Sequence, residues 1–229
     1  MVRGLRDGEN PARYKGNLDQ ALEARSKVRR INHHPALPYA DLPAFMGALS
    51  AQPGTGALAL AFTILTAART GETIGARWSE INLEAKLWTV PAEHTKAMRE
   101  HLVPLSDQAL AVLATVKGAM DTKPDAFVFA GRHPHKGLSN MSLLKVLERM
   151  KREDLTTYGF RSTFRTWAAE ATELPREVAE AALAHVIADK TEAAYQRSTF
   201  FEKRRRMMAA WGAFCVDGQC SADVIPLRR

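Results

Sequence analysis

From about residue 37 onward, apolar positions along the chain keep a helical rhythm that is interrupted once. In "LPYADLPAFMGALS", Leu42, Phe45, Met46 and Leu49 recur at the ~3.6-residue period of a helix buried on one side, and Asp41 stands where an N-cap is expected. "TGALALAFTILTAAR" is apolar almost all round, the pattern of a helix at the centre of a domain, and it is expected to stop at Arg69-Thr70-Gly71-Glu72. The period then shortens. Runs at 76–81, 86–90 and 101–105 read as three short strands joined by polar turns, a small antiparallel sheet at the edge of a helical domain. Beyond it, "DQALAVLATVK", "SNMSLLKVLERMK", "YGFRSTFRTWAAEAT", "PREVAEAALAH", "TEAAYQR" and "FFEKRRRMMAAWGAF" all read as helices, with Pro175 placed for a first turn. The expected fold class is mainly α with a small three-stranded antiparallel sheet, and no internal repeat is visible.

The flanks differ from this middle. Residues 1–36 are charged and turn-rich, with "RSKVRRINHH" and apolar positions too sparse to bury much, so they read as a linker or the remnant of an upstream domain. Residues 37–216 form the expected globular domain and 217–229 a C-terminal tail. A chain of 229 residues that is 46% hydrophobic and 25% charged supports one good-sized core.

Charge and cysteine usage narrow the function classes. Cys215 and Cys220 form no CxxC and have no histidine cluster beside them, so neither a disulfide framework nor a metal site is expected, and a reducing, cytoplasmic setting fits. No apolar run reaches the ~20 residues of a membrane span, and the N-terminus lacks a secretory apolar core. The net charge of +7 favours a polyanionic partner, because clustered Lys and Arg release the counterions condensed on nucleic acid. The aromatic residues show no repeated stacking motif of the single-stranded RNA-binding type.

Two stretches carry candidate chemistry. In "YGFRSTFRTWAAEAT", Phe160, Phe164, Trp167, Ala168 and Ala171 share one helical face, and Tyr158, Arg161, Ser162 and Arg165 are expected opposite it. Arg161 stands in the first turn, where free backbone N–H groups and the helix dipole favour an anion such as phosphate. In "ALAHVIADKTEAAYQR", His185 and Tyr195 lie ten residues apart. His185 follows Val178 by seven residues on the face of Ala181 and Ala182, where a core histidine would also sit, so periodicity leaves packing and chemistry both open.

Taken in order, these pieces resemble the catalytic domain of tyrosine recombinases of the phage- and island-type integrase group, over about residues 37–215. "TAARTGE" is similar to the family's first arginine box and nominates Arg69. Lys96 in "EHTKAMREHLVPLS" matches the lysine on the turn between the second and third strands. "YGFRSTFRTW" resembles the histidine-x-x-arginine box and carries over Arg161. "LAHVIADKTEAAYQR" places the family's histidine and nucleophilic tyrosine on His185 and Tyr195.

The resemblance implies a site-specific DNA recombinase that cuts and rejoins strands through a 3′-phosphotyrosine, leaving a free 5′-hydroxyl, with no cofactor and no metal. Arg69 and Arg161 would stabilise charge on the phosphate, His185 would bind it, Lys96 would protonate the leaving oxygen and Tyr195 would attack. Topoisomerase-like relaxation is a close chemical relative of this reaction. Implied partners are double-stranded DNA and protomers of the same chain in a tetramer on DNA, with a monomer expected in its absence. The C-terminal helix, where Phe201, Met208, Trp211 and Cys215 form a stripe beside the basic run 203–206, either packs in the core or docks on a neighbouring protomer. One position departs from the family: Tyr158 stands where a histidine is usual, and a phenol with an unperturbed pKa of about 10 is a poor proton acceptor. The alternative reading is therefore a catalytically weak or inactive DNA-binding remnant. An unrelated basic helical regulator would leave Arg69, Arg161 and Tyr195 far apart.

Overall fold

The computed structural model describes residues 10, 13–18, 35–95, 97–119, 122–131, 136–185 and 200–218. The chain divides into two compact units, 1–33 and 34–229. In the first, Tyr14–Leu18 forms a single turn in which Gly16 adopts the left-handed region at φ 94°.

The centre of the second unit is the helix with the least polar sequence. α1 (Leu42–Ser50) buries Leu42, Phe45, Met46 and Leu49, as the periodicity predicts. Asp41 ends a 3₁₀ turn, Tyr39–Asp41, and makes no side-chain capping bond, so Pro43 in the first turn does more to set the start of α1. α2 (Thr55–Thr66) packs against α1 and four later helices and buries residues on all sides. Its two buried hydroxyls tolerate this because Thr63 donates to Ala59 O and Thr66 to Phe62 O, both at 2.7 Å.

α2 stops three residues before the expected point. Ala67 takes a left-handed conformation at φ 50°, and the N–H groups of Ala67 and Ala68 cap the carbonyls of Ile64 and Thr63. The Thr70-Gly71-Glu72 segment then opens a new helix, α3 (Thr70–Gly75), instead of ending the old one.

The sheet has the order β1-β2-β3, all antiparallel: β1 (Ile81–Asn82), β2 (Leu87–Val90) and β3 (His101–Pro104), with Trp88 opposite Val103. The first strand is much shorter than the run 76–81, because Trp78–Glu80 coils into a 3₁₀ turn. Trp88 fixes the sheet to the core: its ring lies 5.3 Å from that of Phe62 on α2, and its Nε1 donates to Glu80 at 3.0 Å.

Five more helices follow, α4 (Asp107–Ala119), α5 (Ser142–Arg149), α6 (Gly159–Glu170), α7 (Arg176–Ala182) and α8 (Phe201–Asp217), and α4, α5 and α8 pack on α2. Pro175 precedes α7 as its N-cap. Trp211 of α8 sits between Trp167 and Phe164 of α6, 4.9 and 5.2 Å away, and donates to Ile64 O at the end of α2. Cys215 is buried in the same stripe and burial pushes its thiol well up, while Cys220 lies outside the described residues. Segment 35–37 crosses the start of α6 so closely that a Cβ on Gly159 would collide with Pro35 O, and Thr163 donates to Leu37 O at 2.6 Å. Among the described residues no helix is long and apolar enough to cross a membrane.

Candidate functional site

The turn between α2 and α3 delivers the first arginine. Arg69 is the N-cap of α3, and Glu72, three residues on, reaches back: the Arg69 backbone N–H donates to one carboxylate oxygen at 2.8 Å and Nη1 to the other at 2.7 Å. Donating twice to the one carboxylate, from backbone and side chain, locks the residue that carries the guanidinium. Its Nη2 faces Leu183 O and Ala184 O, both at 3.4 Å.

Arg161 is placed differently from the expectation. Its face is not presented to solvent; the residue is 5% exposed. Position 161 precedes Phe164 by three residues and Ala168 by seven, so it shares their side of the helix, and α6 buries an arc wide enough to include it. Ser162 and Arg165 stay outside. Nη1 of Arg161 donates to Ala67 O, freed by the left-handed turn after α2, and Nη2 donates to Leu183 O at 2.6 Å. Burial, and then the charge of Arg69, lower its pKa to about 10, so it remains a cation at neutral pH. Glu72 and Tyr158 act the other way, Tyr158 partly through a side-chain hydrogen bond to the guanidinium. Tyr158 itself is 47% exposed, at the start of α6, on the rim of the cluster.

His185 does not lie on α7. The helix ends at Ala182, Ala184 turns left-handed at φ 48°, and His185 follows, its N–H bonded to Glu180 O at 3.0 Å. The helical-face reading of its position is thereby replaced by a capping turn. Its Nδ1 is 2.6 Å from Glu180 Oε2, and its Nε2 is 3.4 Å from Arg161 Nη2.

A common feature explains why these groups meet. The last carbonyls of a helix have no partners within it and form the negative end of its dipole. Here they are gathered by cationic or N–H side chains from four other elements. Arg204 of α8 donates to Ala181 O at 3.2 Å, His101 of β3 faces Ala182 O at 3.2 Å, and Arg161 and Arg69 take Leu183 O and Ala184 O. Arg204 is 3% exposed and also donates to Leu102 O at 2.6 Å, so one member of the basic run 203–206 is a buried tie between α8, β3 and α7.

Arg69, Tyr158, Arg161 and His185 are thus brought together. Lys96, on the connection from β2 to β3, and Tyr195 lie outside the described residues. Sequence reasoning missed Glu72, His101, Glu180 and Arg204. Glu72 was signalled by its capping spacing from Arg69. Arg204 was signalled by a charge on the apolar stripe, three residues after Phe201 and four before Met208. His101 and Glu180 carried no comparable signal. No group of three or more potential metal ligands occurs among the described residues.

His101 gives the site a pH dependence. Burial first, then the Arg204 charge, lowers its pKa from 6.5 to about 4, so it is neutral and donates from Nε2 to Ala182 O. Between these values the unfolded chain binds the proton and the folded chain does not. The stabilisation is therefore full above about pH 6.5 and is lost as pH falls toward 4. His101→Gln, which keeps an N–H donor without the titration, is expected to flatten the fall in urea midpoint between neutral and acid pH relative to the parent. Parallel curves for the two proteins would refute this.

Known proteins extend the picture. The family model described as "Phage integrase family" matches residues 36–202. The chain is 40% identical over 219 residues to prophage integrase IntZ of Escherichia coli K12, covering 92% of this chain and 51% of that protein. It is 33% identical over 204 residues to the integrase of Shigella phage Sf6, covering 87% and 52%. The chain spans about half the length of these relatives. A structure described as XerA recombinase shares the fold, with a TM-score of 0.51 at 15% identity, covering 78% of this chain and 65% of that one. The matched segment spans positions 69, 161, 185 and 195, and the chain belongs to the phage integrase family of tyrosine recombinases.

Proposed function

We propose that this chain is a DNA strand-cleaving and rejoining domain acting through a 3′-phosphotyrosine at Tyr195. The observation that carries the reading is the meeting of two guanidinium groups and an imidazole, from three separate segments, around Leu183 O. A phosphodiester resists attack because the nucleophile meets negative charge, and its transition state adds charge to the nonbridging oxygens. Cations already fixed in place stabilise that charge without reorganising. Arg69, held by Glu72, and Arg161, held by Ala67 O, have that preorganisation.

In the proposed reaction the Tyr195 oxygen bonds to phosphorus, the bond to the 5′-oxygen breaks, and Lys96 protonates the leaving oxygen. The covalent link conserves the energy needed for resealing, which occurs when a 5′-hydroxyl attacks in reverse. Double-stranded DNA is the proposed substrate, with a monomer in solution and a tetramer on paired sites. A duplex nicked just past the cleavage site traps the intermediate, because the short 5′-fragment diffuses away. The reading expects a protein–DNA adduct that survives denaturant. DNA binding with no adduct under any condition would leave the DNA-binding remnant.

Tyr158 contributes to the reading through its hydrogen bond to Arg161. A phenol there orients the guanidinium and donates toward a phosphate oxygen, so Tyr158→Phe is expected to slow cleavage by about one to two decades, equivalent to ~1.5–3 kcal/mol. Tyr158→His should retain or raise activity. Equal time courses for all three proteins would remove Tyr158 from the site.

A further inference from the structure

In the basic run 203–206, Lys203 and Arg206 are exposed and Arg205 is half-buried, but Arg204 is buried one turn into α8. Both of its terminal nitrogens are committed to backbone. Nη1 donates to Ala181 O at 3.2 Å and Nη2 to Leu102 O at 2.6 Å. The adjoining residues close the loop: His101, next to Leu102, bonds Ala182 O, next to Ala181, at 3.2 Å. Arg204, Ala181, Ala182, His101 and Leu102 thus form a ring that clamps β3 to the end of α7. The next carbonyl along is Leu183 O, where Arg161 and Arg69 are held. Rigid peptide planes link these carbonyls, so fixing Ala181 and Ala182 restricts Leu183 as well.

The same helix reaches the other anchor of Arg161. Trp211 Nε1 donates to Ile64 O at 2.8 Å, and that carbonyl also accepts the N–H of Ala67 at 3.1 Å. Ala67 O in turn accepts from Arg161 Nη1. Positions 204 and 211 lie two turns apart on one face of α8, so a single helix face braces both carbonyls that hold the Arg161 fork. α8 is seated closely there. A Cβ on Gly212 would lie 2.5 Å from both Ser106 Oγ and Gln108 Oε1, so the helix rests hard against the start of α4.

We infer that α8 is the buttress that aims the Arg161 guanidinium, with Arg204 the positioning residue on the α7 side and Trp211 the positioning residue on the α2 side. This rests on the proposed role of Arg161 in cleavage. It makes the seating of α8 a condition for an organised cation cluster: with α8 displaced, Leu183 O and Ala67 O lose their outer supports, and the two arginines lose their fixed directions.

The test pairs a ligand-free measurement with kinetics on the full chain. With ¹⁵N-labelled arginine, and the Arg161 side chain assigned by comparison with Arg161→Lys, the parent is expected to show separate, slowly exchanging Nη–H signals for Arg161, because both nitrogens are held. Arg204→Gln should merge or broaden those signals although Arg161 itself is unchanged. It should also slow single-turnover cleavage by about ten- to a hundredfold, with affinity for the duplex changed less than about threefold, since the rest of the basic run is kept. Arg204→Lys, which retains the charge and loses the fork, should fall between the two. Met208→Ala is the control for a merely structural role: it weakens the packing of α8 and lowers the urea midpoint, but it removes no donor and should leave the Arg161 signals and the rate as in the parent. Unchanged Arg161 signals in Arg204→Gln overturn the inference, as does an equal loss of signal and rate in Met208→Ala. If Arg204→Gln does not fold, Trp211→Phe, which keeps a ring and removes the indole donor, decides by the same two readouts. Failure of the parent to form any adduct would instead count against the cleavage reading, and the Arg161 signals would then decide the inference alone.

Discussion

Tyr195→Phe is expected to abolish covalent attachment to a nicked duplex while leaving DNA affinity and the urea midpoint close to those of the parent. Only a hydroxyl is removed, and phenylalanine keeps the ring. A phosphotyrosine cannot form without the oxygen, so the effect is total and not graded, unlike the loss of a charge stabiliser, which slows a step that still runs. Loss of adduct together with loss of binding would show instead that Tyr195 supports the fold or the DNA contact. Adduct persisting in the variant would assign the nucleophile elsewhere.

The next largest effects are expected at the two arginines. Arg161→Ala and Arg69→Ala should each reduce single-turnover cleavage at saturating protein by a hundredfold or more, on the order of 2.7 kcal/mol, as when a preorganised donor is lost. The two variants should differ in stability. Arg161 is the more buried and ties Ala67 O to Leu183 O, so its removal strands Ala67 O, at a cost of about 1–3 kcal/mol, and leaves Leu183 O only the longer contact from Arg69. Arg69→Ala leaves the Glu72 carboxylate, whose side chain is 4% exposed, without its guanidinium. Arg161→Lys keeps the charge but loses the fork, and should fall between alanine and the parent in both rate and urea midpoint. Unchanged cleavage with uniformly weaker DNA binding would make both arginines positioning contacts.

How much of this was legible in the chain depends on the range of the forces involved. The helices at Leu42–Ser50, Asp107–Ala119 and Phe201–Asp217 were readable because burial of one face imposes a local period, and β2 and β3 because the period changes. The stop of α2 was not, since alanine at 67 carries no turn signal; the left-handed turn is stabilised by what its carbonyl does next, accepting from Arg161 far along the chain. The same distance hid the burial of Arg161 and Arg204. A charged side chain is read locally as solvent-facing, and both are buried because carbonyls at the end of α7, in the turn after α2 and on β3 provide acceptors. His185 was nominated through the family pattern. Its partner Glu180, five residues before it, becomes visible only when the chain leaves α7 and folds the imidazole back.

Site residues on one side of the fold thus share a single structural device. The C-terminal carbonyls of α7 collect Arg204, His101, Arg161 and Arg69; the Arg69 and His185 side chains stay part-exposed, while Arg161 is buried. This assembly gives the arginines fixed directions without any ligand, which is the property that the proposed stabilisation of phosphate charge needs.

The most direct test of the account is to digest the trapped protein–DNA complex with protease and nuclease and to identify the modified peptide by mass spectrometry. The account predicts a single nucleotide remnant joined through its 3′-phosphate to Tyr195. A remnant on any other residue, or one joined through a 5′-phosphate, would contradict it.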